Sequence, residues 1–173
     1  MENDFKKNNS SSILIFFIPF IITNVLLFFE LSASNPYLAG LLKESQQLLD
    51  IDATKLNLFM IVIVVLLNTI ILLVTFLFIK LLVQLFLKEE FLHEKDLLIT
   101  LLLSSSLAAV ISLLLSAFFS VNYLPLSIIT SIGEYLIFII LYRMNVKNNQ
   151  ETVIIATVKL VLLIVNLFFV FRV

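Results

Sequence analysis

The chain of 173 residues has no cysteine and no tryptophan, one histidine, two glycines and three prolines. Without cysteine there is no disulfide framework and no thiolate metal site. Two glycines cannot build a Gly-rich phosphate loop. Charge is scarce: 13% of residues are charged and the net charge is −1. No basic field is available to hold nucleic acid, so no nucleic-acid partner is expected. Soluble domains carry about 25% charged and about 45–50% apolar residues. Here 61% are hydrophobic, more apolar surface than water can cover, and a soluble globular fold is excluded. Disorder is excluded by the same figures, because it requires low hydrophobicity and high charge. An all-α, polytopic helical bundle in a membrane remains.

A spanning helix needs about 20 mostly apolar residues. Five stretches qualify, at about residues 13–31, 56–79, 97–119, 126–142 and 153–171. The first is too long for a signal-peptide core and lacks an Ala-x-Ala site. Residues 1–12, polar and containing the run Asn8-Asn9-Ser10-Ser11-Ser12, are expected to be disordered. Short-loop Lys and Arg residues set the orientation. With the N-terminus in the cytoplasm, Lys6, Lys7, Lys80, Lys88, Lys95, Arg143 and Lys147 lie inside, against Lys43, Lys55 and Arg172 outside. The reading is therefore N-terminus in, C-terminus out. Tyr37, Tyr123 and Tyr142 fall near interfaces and read as anchors.

Two connections are more than linkers. In residues 36–49, Asn35 is a candidate N-cap and Pro36 occupies the first helical position, followed by a leucine stripe. This predicts a short helix lying in the outer interface. The second span stays apolar to Leu87, about 48 Å of helix against a hydrocarbon core of about 30 Å. Either it projects into the cytoplasm or it bends near Lys80. The elbow at residues 80–96, with Lys80, Gln84, Lys88, Glu89, Glu90 and His93, is the candidate surface for docking a partner. Asp96 is the candidate cap of the third span.

Ionisable groups inside spans are costly and mark candidate sites. Glu134 lies about 12 Å from Tyr142 along its helix, and Lys159 about 9 Å from Val153. The two spans form a hairpin, so the charges share a depth and can pair. Asn24, Asn68, Ser105 and Asn166 read as polar contacts between helices. No catalytic constellation stands out. His93, in the run His93-Glu94-Lys95-Asp96, has no second histidine for an HExxH zinc site and lies outside the membrane. No enzyme activity, cofactor or metal is expected.

From Leu26 to Phe171 the layout resembles the bacterial branch of the Yip (Ypt-interacting protein) membrane family. The resembling parts are the outer loop YLAGLLKESQQLL, the long second span, the inner stretch FLHEKDLLITLLLSSSLAAVISLLL and a closing helix pair. The resemblance implies five spans with a cytoplasmic N-terminus and a non-enzymatic membrane scaffold. Eukaryotic relatives associate with trafficking GTPases, and some bacterial ones accompany ABC exporters that protect against toxic peptides. Composition rich in Lys, Asn, Ile and Phe suits an AT-rich bacterium and hence a bacterial plasma membrane. The sequence thus supports three readings. The leading one is a non-enzymatic accessory or scaffold subunit bound to lipid and to another membrane protein, such as an ABC exporter subunit or a second copy, and two alternatives stand beside it. Another is a small transporter or proton-coupled carrier using Glu134 and Lys159. The third is an immunity protein against a membrane-active peptide.

Overall fold

The computed structural model describes residues 2–87, 91–119 and 122–171. Six helices follow one another: α1 (Glu2–Ser34), α2 (Pro36–Leu49), α3 (Ala53–Leu87), α4 (Glu94–Phe119), α5 (Tyr123–Asn145) and α6 (Asn149–Val170). All but α2 are long and apolar enough to cross a membrane. The protein is a multi-pass helical membrane protein, as the composition requires. Lys88, Glu89 and Glu90 of the expected docking elbow lie outside the described residues.

The helix starts depart from the sequence reading in two places. Helix α1 begins at Glu2, so the backbone of residues 2–12, expected to be disordered, continues the first span. Extending a helix that the apolar span has already nucleated adds one hydrogen bond per residue. Helix α4 begins at Glu94, so Asp96 sits in its first turn and is not its cap. A carboxylate there still faces the positive end of the helix dipole. By contrast, Asn35 caps α2 as expected, accepting from the amides of Tyr37 and Leu38 ahead of Pro36. Helix α2 ends at Asp50 in the left-handed region (φ 49°), whose amide closes onto Gln46 and Gln47.

Helix α3 is unbroken over 35 residues, about 52 Å, so the second span does not break at Lys80 and is longer than a hydrocarbon core of about 30 Å is thick. Side-chain pairs fix the helix directions. Asn24–Ser105 and Glu30–Ser116 run in step, so α1 and α4 are parallel. Glu134–Lys159 and Ser131–Asn166 run in opposite senses, so α5 and α6 are antiparallel.

Packing is uneven. Helix α4 touches α1, α3 and α5, and half of its apolar stretch is buried, against 11% in α1, α3 and α6. Ser104, Ser106, Ala108, Ala109, Ser112 and Ser116 are buried along it. Small residues let neighbouring backbones approach closely where lipid offers no hydrophobic drive. The large buried side chains gather in the half of the bundle nearer the elbow: Ile79 and Val83 of α3, Leu97 and Leu102 of α4, Phe138 and Tyr142 of α5, Ile155 of α6. The half nearer α2 is looser, with Val165, Phe168 and Phe169 of α6 exposed.

Candidate functional site

Each of the five spans carries a polar side chain within two residues of its midpoint that faces a common space: Asn24, Asn68, Ser105, Glu134 and Lys159. All five line one cavity of about 130 Å3. Ser105 and Asn24 are hydrogen-bonded across α4 and α1 at 3.3 Å. Lys159 donates to Glu134 Oε1 at 2.7 Å, closing the pair that the hairpin geometry predicts. The ammonium also lies over the Phe138 ring, 5.4 Å from its centroid. A cation above an aromatic face gains further electrostatic stabilisation. The Lys159 side chain is 12% exposed and that of Glu134 29%, so the carboxylate is the more open partner.

Asn68 corrects its expected role. It donates to Val64 O of its own helix at 2.9 Å and makes no hydrogen bond to another helix among the described residues. Its amide faces the cavity instead of fastening α3 to a neighbour. Asn166 fits its expected role, donating to Ser131 Oγ at 3.0 Å across α6 and α5. Thr75, which the sequence reading passed over, also lines the cavity.

A second, larger hollow of about 660 Å3 lies on the other side of the ion pair, between α3 and the α5–α6 hairpin. Ile71, Thr75, Glu134 and Lys159 border both spaces, so the two adjoin at the ion pair. The larger hollow runs along α6 from Lys159 to Phe169, about 15 Å toward the α2 end. Its walls are mainly apolar, with Ser131 and Asn166 partway along.

A second carboxylate, this one buried, sits where α5 turns into α6. Glu151 accepts a short hydrogen bond from the Tyr142 hydroxyl, and His93 brings Nδ1 to 3.0 Å from Oε2. Glu151 is 3% exposed and Tyr142 1%, so Tyr142 is a core residue and not the interfacial anchor its position predicts. Its ring stacks on Phe138. Glu151 and the cap Asn148 have the spacing of a capping pattern, which is the sequence signal for this residue. In the structure its carboxylate turns inward instead. Two residues of the expected docking elbow are thereby engaged within the chain: His93 with Glu151, and Lys80 with Glu94 at 2.7 Å. Gln84 is half-buried.

Among the described residues no three His, Cys, Asp or Glu side chains come close enough to share a metal ion. No family model, curated protein or solved structure matches the chain. The Yip likeness therefore rests on hydropathy and layout.

Proposed function

We propose that this membrane protein is a small carrier whose working part is the mid-membrane cavity, binding a cationic solute at Glu134 in exchange for Lys159. One observation carries this reading: every span contributes a polar group to the same space at the same depth. Polar residues that serve only as glue need meet in pairs. Here a charged pair, two amides and a hydroxyl converge on room for about four waters, taking about 30 Å3 for each. Intramembrane ionisable groups that face an internal cavity mark solute or ion pathways.

The test is uptake of radiolabelled methylammonium, Na+ or K+ into proteoliposomes. Uptake of one of these above empty liposomes, lost in Glu134→Gln, supports the carrier. Absence of these three fluxes and of decylammonium flux overturns it. The accessory-subunit reading is favoured by a different observation. Helix α3 leaves Leu66, Leu67 and Ile70 exposed, a stripe on which a partner helix could lie. Recovery of a stable partner in mild detergent, together with no flux, supports that reading.

A further inference from the structure

We infer that the larger hollow is a side entrance and that the ligand at Glu134 is an amphipathic primary alkylammonium, taken from the bilayer with its chain along α6. The inference rests on the carrier reading and names the class of solute.

The protein already displays such a ligand. Lys159 is an alkyl chain ending in an ammonium group. That ammonium sits 2.7 Å from Glu134 Oε1 and 5.4 Å from the Phe138 ring centroid. Carboxylate and ring together form a cradle for R–NH3+, occupied by a side chain that belongs to the protein. Glu134 is the more exposed partner and borders the larger hollow, so an incoming ammonium can reach it without first entering the smaller cavity.

The size and lining of the larger hollow fit an apolar chain better than a hydrated ion. Its volume of about 660 Å3 lies in the range of small-molecule sites, which are apolar with a few placed polar groups. Leu162, Val165 and Phe169 flank the path, and the ionic floor lies at one end. Val165 and Phe169 are exposed on the outside of the bundle, so the wall is open sideways toward lipid. An inorganic cation would have to shed its water along this wall, whose mainly apolar side chains offer few ligands to replace it. An alkylammonium needs no such dehydration, because its chain passes from lipid tails to side chains of the same apolar kind.

The smaller cavity completes the exchange. Asn24 and Asn68 spend Nδ2 on Phe20 O, Ser105 Oγ and Val64 O, and no hydrogen bond within the protein reaches either Oδ1 among the described residues. These two carbonyl oxygens can accept the displaced Lys159 ammonium. No proton moves in the step: one ammonium replaces another at Glu134, and Lys159 keeps its charge in the cavity. Lys159 thus acts as a built-in competitor. Removing it frees the cradle and raises apparent affinity, because the fraction of protein competent to bind rises.

The experiment measures binding of radiolabelled decylammonium, decanol and decyl sulfate to the full chain in nanodiscs, against empty nanodiscs. Saturable decylammonium binding about tenfold tighter than that of the other two is expected, with Glu134→Gln about tenfold weaker and Lys159→Met about tenfold tighter. Equal partitioning of all three amphiphiles overturns the inference, as does weaker binding to Lys159→Met. Val165→Phe narrows the hollow without touching the ion pair, and keeps the inference falsifiable if either charge variant fails to fold. It should weaken decylammonium about tenfold; unchanged binding overturns the side entrance. Saturable decylammonium binding with no flux of any cation sinks the carrier and leaves this site standing. Methylammonium flux that depends on Glu134, without preference for decylammonium over decanol, sinks this site and leaves the carrier standing.

Discussion

Glu134, half-buried, and Glu151, buried, are both carboxylates on the α5–α6 hairpin, and their surroundings are opposite. Glu151 is sealed: its side chain is 4% exposed, and both oxygens are taken by Tyr142 and His93. It joins three pieces of chain, namely the elbow, the end of α5 and the start of α6. As the third residue of α6 it also lies at the positive end of the helix dipole. Glu134 has one strong partner and open space on two sides. The difference follows the packing of the bundle. The elbow half has the large buried side chains, and the α2 half leaves a hollow. A carboxylate with a partner at each oxygen and no room nearby is a fastener. One with spare acceptors nearby and room for a guest can exchange its partner.

The comparison is broken most directly at Glu151. Glu151→Ala strands the Tyr142 hydroxyl, in a residue only 1% exposed, and removes the contact that holds His93. Leaving buried polar groups without partners costs about 1–3 kcal/mol, and more for a buried charged network. The expected loss is about 3 kcal/mol, read from denaturant-driven unfolding in mixed micelles. At temperatures where the variant stays folded, Glu134-dependent flux should survive. A smaller loss from Glu151→Ala than from Glu134→Gln would reverse the assignment of fastener and exchanger.

Tyr142→Phe sharpens the same point. It keeps the ring stacked on Phe138 and deletes only the donor to Glu151. His93 remains to satisfy the carboxylate in part, so the loss should be about 1–2 kcal/mol, below that of Glu151→Ala. Equal losses in the two variants would mean that His93 contributes nothing to the junction.

Much of the mid-membrane site was legible because depth is legible. A continuous apolar run fixes where each span is centred, and a short turn between the last two spans fixes their relative depth. Glu134 and Lys159 had little choice but to meet. The local chemistry of Asn35 and Pro36 likewise predicted the start of α2. Rotation about the helix axis was not legible. Helix α3 is apolar on every side, so nothing in its pattern says whether Asn68 or Thr75 turns toward a neighbour, a cavity or lipid. The pattern around Asn68 therefore suits a contact between helices as well as a cavity, and Thr75 carries no signal at all. Glu151 was obscured for a related reason. Its spacing from Asn148 marks a helix start, but its inward turn depends on Tyr142 and His93, which reach it only once α5 and the elbow are packed.

The smallest effect is expected at the other ion pair of the elbow. Lys80 and Glu94 approach to 2.7 Å, the same distance as Lys159 and Glu134. Distance alone would rank them equal. Exposure separates them: the Lys80 and Glu94 side chains are 30% and 41% exposed, near the end of the helix that is longer than the hydrocarbon is thick. There solvent screens the attraction, and ordering two long side chains offsets part of the gain. Pairs of this kind contribute about 0–1 kcal/mol. Lys80→Met should therefore lower stability by about 0.5 kcal/mol or less, and the loss should shrink further in high salt. Helix α3 keeps Ile79 and Val83 fully buried on either side of the substitution, which holds the elbow in place without the charge. A loss as large as that from Tyr142→Phe, insensitive to salt, would place Lys80 among the fasteners and enlarge the sealed half of the bundle to include the elbow's outer surface.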